Sequence, residues 1–321
     1  SIGCSPNAAA VLIVSLGCEG TDHERMVKEI SATGKHVEII HIQELGGVSK
    51  AIQAGTDIAR RLVIEVSGIQ RQPVDVSNIV MSIKCGGSDT TSGMASNCVI
   101  GYVADKLVDL GATVIFGETT EFIGGEHLLA RRAVSKEVGD KILKIVDDME
   151  LRAKSLGCDM RKGQPTPGNI EGGLSSIEEK SLGAIMKSGS KPIQGVLGYT
   201  ERVTDQKGLW IKDTPGREPE ILTGMAATGA QVMMFSTGRG APQGFPSMPV
   251  IKICGNPNTY QRMEEDMDIN AGRIITGEKT IEEVGEEAFA KLIRTLSGEM
   301  TKNEAIQYIT SIDIQCLGPV I

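Results

Sequence analysis

The chain has 321 residues, 40% of them hydrophobic and only 3% aromatic, which allows two domains with aliphatic cores. A formal net charge of −8 without any basic block argues against nucleic acid as a partner. No signal peptide opens the sequence, no apolar run reaches the roughly 18 residues of a membrane span, and the seven cysteines lack a disulfide-framework spacing. We therefore expect a cytoplasmic protein with reduced thiols.

The first half of the chain alternates apolar runs with amphipathic segments. The run at residues 8–16 (AAAVLIVSL) is typical of a strand buried on both faces. Further strands are predicted at 37–42, 79–84 and 113–116, and helices at 22–32, 48–66, 96–110 and 125–155. Such alternation favours βαβ units and a parallel sheet, so the predicted fold class is α/β.

The second half is less regular. Residues 158–173 are rich in Gly, Pro, Asn and charge, which indicates a linker between an α/β subdomain at 1–157 and a second α/β subdomain at 158–321. Predicted strands there are 193–198, 208–213, 231–235 and 250–254, and predicted helices are 176–187, 280–297 and 301–308.

Two cysteines follow predicted strands, where open α/β sheets bind their ligands. Cys18 and Cys85 could together bind iron if their strands are neighbours, although free Cys is more often a small buried hydrophobe. The turn formed by Gly86, Gly87, Ser88 and Asp89 exposes N–H groups that suit a carboxylate, or it is simply a tight turn that caps a helix.

Three further positions are candidates for chemistry. His127 opens the predicted helix at 125–155 and could serve as a base or metal ligand, although a lone His is more often structural. Arg239 lies between two glycines and could grip a carboxylate through two N–H groups, or it could sit on a surface turn. Asp266 and Asp268 belong to an acidic run that is either a solvated face or a set of hard oxygen ligands.

Taken together, these loops resemble the altronate/galactarate dehydratase family, whose relatives include the large subunit of sulfolactate sulfo-lyase. The matching segments, in chain order, are 16–19 (LGCE), 85–89 (CGGSD), 118–119 (ET), 126–133 (EHLLARRA), 167–169 (PGN), 179–183 (EKSLG), 213–216 (DTPG), 237–240 (TGRG) and 264–270 (EEDMDIN). No single segment is specific, but their shared order over nearly the whole chain supports the resemblance.

The resemblance implies a hydro-lyase that dehydrates a small anionic sugar acid to a 2-keto-3-deoxy acid with a divalent metal, Fe(II) first and Mn or Mg as alternatives. In that interpretation His127, Glu118 and Lys180 are catalytic candidates. The metal candidates are Cys18, Cys85, Glu19, Asp266 and Asp268, and the substrate-binding candidates are Gly86, Gly87, Ser88, Asp89, Arg239 and Asn169. The implied partners are a small β-domain subunit and further copies of the chain in a homo-oligomer.

The sequence also departs from the family pattern. Family members carry more chain before the 16–19 segment, so an N-terminal part is expected to be missing, and Ala271 stands where several relatives have Cys. Two alternatives therefore remain beside the hydro-lyase, namely a sulfolactate sulfo-lyase large subunit and a non-catalytic core or partner of a small subunit. A nucleotide-binding oxidoreductase is disfavoured, because no GxGxxG follows the first strand.

Overall fold

The computed structural model of the chain describes residues 2–309 and 311–318 and divides into two compact units, Ser1–Val74 and Asp75–Ile321. This division differs from the expected boundary between residues 157 and 158. The reason is that one sheet contains strands from both sides of that boundary, so the chain cannot be separated there.

The first unit is a small parallel βαβ structure. Strands β1 (Ala10–Ser15) and β2 (His36–His41) pair in parallel, with helices α1 (His23–Ser31) and α2 (Val48–Ser67). Asp22 caps α1 by accepting a hydrogen bond from the Arg25 N–H. The expectation that the first strand is buried on both faces is wrong, because the sheet has only two strands and Val14 is 56% exposed.

The second unit is built on a parallel sheet whose strands run in the order β5-β6-β4-β3-β7-β8-β9. All seven strands are parallel to their neighbours. Their bounds are β3 (Val80–Cys85), β4 (Thr113–Phe116), β5 (Ile193–Leu197), β6 (Gly208–Lys212), β7 (Val232–Thr237), β8 (Val250–Cys254) and β9 (Ile269–Asn270). Every residue of β4, β6, β7 and β8 is buried, as the continuous apolar runs predict, so the α/β fold class is confirmed.

Helices cover this sheet. Their bounds are α3 (Asn97–Asp109), α4 (Glu126–Arg131), α5 (Lys136–Ser155), α6 (Met160–Gly163), α7 (Pro167–Glu171), α8 (Ile177–Ile185), α9 (Glu218–Thr228), α10 (Pro257–Arg262), α11 (Gly272–Ile275), α12 (Ile281–Leu296) and α13 (Lys302–Ala305). Short 3₁₀ turns span Ile2–Cys4, Val76–Asn78, Thr119–Glu121 and Met186–Ser188, and a π turn spans Ser92–Ser96. In the described part of the chain no helix has the length and apolarity needed to cross a membrane.

Two helix predictions need correction. The single helix expected at 125–155 is broken into α4 and α5, because Ser135 is extended and its side chain caps a new helix at the Val138 N–H. Helix α9 was not predicted, because it is buried on most sides and therefore lacks the amphipathic period that identifies a surface helix.

The strand order reverses between β3 and β7. From β3 the chain proceeds to β4 on one side, and from β7 it proceeds to β8 on the other. The carboxyl ends of strands beside such a switch point border a crevice, which is where open α/β sheets bind ligands. The segments at this point are Cys85 to Asp89 after β3 and Gly238 to Gly240 after β7.

Helix α3 lies against the 3₁₀ turn Met186–Ser188 at Gly101, where an added Cβ would stand 2.3 Å from the Met186 carbonyl oxygen and 3.1 Å from the Gly189 nitrogen. Both are backbone atoms, so Gly101→Ala should lower the free energy of unfolding by about 2 kcal/mol. Urea denaturation measures this loss. Gly163→Ala, at a position with no neighbour within 4 Å, is the control and should change stability by less than about 0.5 kcal/mol. Equal stability of the two variants would contradict this close packing.

Candidate functional site

A cleft of about 500 Å³ lies at the switch point of the sheet. Residues from the carboxyl ends of β3, β4 and β7 meet there with residues of α7 and α8. Lining residues include Lys84, Cys85, Gly86, Gly87, Ser88, Glu118, Glu121, Asn169, Lys180, Glu218 and Arg239. Eight of the residues selected from the sequence are therefore brought together, namely Cys85, Gly86, Gly87, Ser88, Glu118, Asn169, Lys180 and Arg239.

A buried ion-pair network forms the floor of this cleft. The Glu118 carboxylate accepts a hydrogen bond of 3.1 Å from the Lys84 ammonium, and its second oxygen accepts one from the Lys187 ammonium. That second oxygen also accepts a 2.8 Å hydrogen bond from the Cys85 N–H. All three charged side chains are at most 1% exposed, so each charge depends on the others for stabilisation.

The same contacts set the protonation states of the network. Burial raises the pKa of Glu118, but the ammonium groups of Lys187 and Lys84 outweigh it and hold that pKa below its ordinary value. Burial lowers the pKa of Lys84, whereas Glu118 and Glu218 raise it, and the net change is upward. The carboxylate and both ammonium groups are therefore charged near neutral pH.

Glu118 also has an unusual backbone. Its φ of 71° lies in the left-handed region that a residue with a Cβ rarely adopts. The conformation is held because the Glu118 N–H donates to the Thr214 hydroxyl at 2.8 Å and the next N–H, that of Thr119, donates to the Thr214 carbonyl at 3.0 Å. Strain supported in this way is typical of functional positions.

The glycine turn after β3 presents free N–H groups to the cleft. The N–H groups of Gly87 and Ser88 donate no hydrogen bond to any residue in the described ranges, whereas the Gly86 N–H pairs with Ser236 at 3.0 Å. Gly87 has a φ of +58°, so the turn suits glycine, and Asn169 holds it through a 2.9 Å bond to the Ser88 carbonyl. Consecutive unpaired N–H groups of this kind bind carboxylates.

Lys180 and Glu121 form a second charged pair in the cleft. The Lys180 ammonium lies 3.2 Å from one oxygen of Glu121 and donates to the Gln164 side-chain carbonyl at 2.8 Å. The other oxygen of Glu121 is buried and has no hydrogen-bond partner in the part of the chain that the structure describes. A carboxylate oxygen without a hydrogen-bond partner is available to accept a proton.

Arg239 and Asp89 differ in what they offer a ligand. The Arg239 guanidinium, 39% exposed, donates to the Glu171 carboxylate at 2.7 Å. Asp89 is buried, and its oxygens accept hydrogen bonds from Thr91, Ser92 and Asn256, so it ties the turn after β3 to the end of β8. Asp89 therefore holds the loops together and is not free to bind a substrate.

Other predicted site residues lie outside the cleft. His127 is exposed on α4 and does not line it. The Asp268 carboxylate is fully buried and accepts hydrogen bonds from the N–H groups of Lys252 and Lys302, while Asp266 is half-buried and does not line the cleft. The ligand role predicted for Asp268 is corrected, because its oxygens bind backbone and so join β8 to α13.

Two predicted metal ligands belong to the first unit. The exposed Cys18 thiol accepts a 3.2 Å hydrogen bond from the Gln43 side chain. Glu19 accepts hydrogen bonds from the Leu16 and Gly17 N–H groups, and its carboxylate lies 3.2 Å from His23. The Glu19 side chain therefore stabilises the loop at residues 16–19 through hydrogen bonds to its backbone.

The residues of the cleft do not fit a metal ion. Glu118 is already paired with two ammonium groups, and the Cys85 thiol accepts a 3.0 Å hydrogen bond from Lys187. A metal-binding thiol must lose its proton, but burial and the Glu118 carboxylate raise the pKa of Cys85 to about 12 against the opposing effect of Lys187. Within residues 2–309 and 311–318, no group of three His, Cys, Asp or Glu side chains is arranged to hold a metal.

The sequence reasoning missed Lys84, Lys187, Glu121 and Glu218. Lys84 carried a signal, because it is the one charge in the strand IVMSIK and a lysine inside a buried strand must be paired. Lys187 carried no such signal, since it ends a predicted helix where lysine is ordinary.

Comparison with known proteins places the chain in a family. Residues 76–316 match the family model described as D-galactarate/altronate dehydratase, C-terminal. Residues 1–67 match the model described as D-galactarate dehydratase/altronate hydrolase, second domain. The chain therefore belongs to the galactarate/altronate dehydratase family, and the resemblance inferred from its loops is confirmed.

Three curated relatives span the activities named in this family. The chain is 40% identical to (2R)-sulfolactate sulfo-lyase subunit beta of Chromohalobacter salexigens over 95% of the chain and 78% of that protein. It is 37% identical to galactarate dehydratase (L-threo-forming) of Escherichia coli over 93% of the chain and 58% of that protein. It is 32% identical to altronate dehydratase of Bacillus subtilis, over 93% of the chain and 59% of that protein. The chain thus spans less than two thirds of these dehydratases, and the expected enzyme class, a lyase, agrees with all three names.

Buried thiols of the second unit should resist alkylation in the native protein. Burial is the main cause that raises the pKa of Cys85 to about 12 and that of Cys254 to about 11, so neither forms a reactive thiolate at pH 8. Iodoacetamide followed by peptide mass spectrometry should label the exposed Cys18, Cys158 and Cys316, and should label Cys85 and Cys254 only after unfolding. Rapid native labelling of Cys85 would show that its thiol is not held in this network.

Removing the central carboxylate should destabilise the second unit. Glu118→Gln leaves the buried Lys187 ammonium without a carboxylate partner and leaves Lys84 with only its 3.4 Å ion pair to Glu218, at an expected loss of about 3–5 kcal/mol. Because the folded pKa of Glu118 is lowered, its stabilisation is present above the ordinary value of 4.5 and is lost as pH falls through the folded pKa. Urea titrations from pH 7 to pH 3 should therefore show a shallower acid-induced loss in the variant. Asp148→Asn, which breaks an exposed pair with Lys144, is the control and should cost less than about 1 kcal/mol.

Proposed function

We propose that the chain is the core of a lyase that removes water from a sugar acid in the cleft at the switch point. The observation that carries this proposal is the position of the two free N–H groups of Gly87 and Ser88 beside a buried network with two lysines. Such an arrangement suits a carboxylate whose negative charge increases during the reaction. Family membership supports the same reaction class.

The reaction needs two proton transfers and one site of charge stabilisation. A base removes the proton on the carbon next to the carboxylate, and the electron pair forms a double bond as the neighbouring hydroxyl leaves with a proton. The resulting enol rearranges to the 2-keto-3-deoxy acid. The N–H groups of Gly87 and Ser88 hold the carboxylate, and Lys84, which lines the cleft, stabilises the negative charge that grows there.

The Lys180–Glu121 pair is the proposed proton-transfer group. The Glu121 carboxylate, which lines the cleft, accepts the proton from carbon, and the Lys180 ammonium donates one to the departing hydroxyl. Glu118 is a poor base because its lowered pKa means that it binds a proton weakly, and because its oxygens are already engaged. Its proposed role is to position Lys84 and Lys187.

Metal dependence on Fe(II), Mn or Mg stays a prediction from the family resemblance, and no step above uses a metal. Metal analysis of the intact protein purified without oxygen tests it. A cytoplasmic location, assembly with a small β-domain subunit and homo-oligomer formation are likewise proposals. The word subunit in the name of the Chromohalobacter relative supports a partner polypeptide.

A second candidate is elimination of sulfite from sulfolactate. The 40% identity to (2R)-sulfolactate sulfo-lyase subunit beta over 95% of this chain favours it, because that relative is also covered over 78% of its length. The same cleft would serve, since both substrates carry a hydroxyl beside a carboxylate. The leaving group is then sulfite, which needs no proton from Lys180.

One experiment separates these functions. The intact protein, with any co-purifying subunit, is incubated with galactarate, altronate and (2R)-sulfolactate, and both 2-keto acids and sulfite are measured. A 2-keto-3-deoxy acid supports the dehydratase, and sulfite supports the sulfo-lyase. Neither product with any of the three acids would count against catalysis and favour the third alternative, a non-catalytic core.

Lys180→Met should lower the turnover number for the sugar-acid substrate about 10²–10³-fold, because the leaving hydroxyl loses its proton donor. The unfolding midpoint should fall modestly, because removal of the 11% exposed Lys180 side chain leaves Glu121 without its ion pair, so turnover is measured well below that midpoint. Lys144→Met, at an exposed pair with Asp148, is the matched control and should keep full activity. Full activity of Lys180→Met would remove this residue from the mechanism.

A further inference from the structure

A second polar cavity of about 500 Å³ adjoins the cleft on the far side of Arg239. Arg239 lines both spaces, and its backbone N–H donates to the Gly87 carbonyl at 2.8 Å, which places it directly beside the anion-binding turn. The cavity also contains Arg262, Asn256 and Thr259 from α10 and the residue before it. Arg239 therefore lies at the border between the cleft and this cavity.

The guanidinium groups of the two arginines in this cavity are available to bind an anion. Within the described ranges Arg262 forms no ion pair, and it is exposed at the end of α10. Arg239 pairs with Glu171, which is 73% exposed and can turn away to solvent at small cost. The remaining carboxylate, Asp89, already accepts hydrogen bonds from Thr91, Ser92 and Asn256, so its oxygens are engaged there and it forms no ion pair with either arginine in the described ranges.

A third space beside the cleft has a different character. There the cleft adjoins a cavity of about 630 Å³, and the two spaces share Ser88 and Lys180. The lining of this 630 Å³ cavity includes Met94, Leu174, Leu182 and Met186. This cavity also contains Glu178 and Glu179, and the Lys180 ammonium that borders it is already paired with Glu121, so an anionic group is disfavoured there and the polar cavity is the one that can hold it.

We infer that the substrate of this site is a dianion, a hydroxy acid whose second anionic group is held by Arg239 and Arg262. This inference rests on the function proposed above and narrows its substrate class. It favours acids with a carboxylate or sulfonate at the far end over acids that end in a neutral hydroxymethyl group. Guanidinium groups recognise both anions through paired N–H donors.

The test compares two six-carbon acids that differ only at the far end. Galactarate carries a second carboxylate, and galactonate carries a hydroxymethyl group there. Binding to the intact protein is measured by titration calorimetry under conditions without turnover, and kcat and KM are measured wherever turnover occurs. Arg262→Gln removes the unpaired cation, and Arg202→Gln, at an exposed arginine that lines neither space, is the matched control.

Galactarate should bind the wild type at least fivefold more tightly than galactonate, and Arg262→Gln should weaken galactarate binding roughly five- to tenfold through KM. The affinity for galactonate should not change in Arg262→Gln. The control Arg202→Gln should change neither the affinity for galactarate nor that for galactonate. Equal affinity for both acids, or an equal loss for both in Arg262→Gln, would overturn the inference while leaving the proposed lyase intact. Absence of binding by both acids and by (2R)-sulfolactate would overturn the proposed function as well.

Discussion

The cleft depends on the mutual neutralisation of Glu118, Lys84 and Lys187. A buried charge without a partner costs several kcal/mol, so none of the three could occupy its position alone. The carboxylate comes from the segment after β4, one ammonium from β3 and the other from the turn after α8. These segments therefore meet at the floor of the cleft, where burial and the Glu118 carboxylate keep Cys85 protonated.

The sheet topology gives this network its location. Because the strand order reverses between β3 and β7, the loops after these strands diverge and leave a crevice that no crossing segment fills. Arg239 follows β7 and Gly87 follows β3, yet their backbones are hydrogen-bonded at 2.8 Å. The crevice adjoins a polar cavity that contains Arg262 and a more apolar cavity that contains Leu182.

Much of the fold followed from local pattern, and the strands at 113–116 and 250–254 were predicted to the residue. The subdomain boundary could not be predicted from local pattern. The pairing of β3 with β7 joins segments that are far apart in the chain, and the sequence of neither strand indicates its partner. At the site, Gly87 and Glu118 were selected because strand ends in a parallel sheet share one edge, whereas Lys180, on helix α8, was selected only from the family resemblance. The direction of a side chain is a tertiary property, so neither the exposure of His127 nor the burial of Asp268 could be read from composition.

The pairing of β3 with β7 also constrains how the protein is made. Ser82 bonds to the Val232 carbonyl across 150 residues, so the centre of the sheet cannot close until most of the second unit has left the ribosome. Until then the apolar strand β3 carries Lys84 without the neighbours that later enclose it. A nascent chain of this kind exposes an unpaired, aggregation-prone strand edge during synthesis. Efficient folding in the cell would then benefit from chaperones that bind this edge.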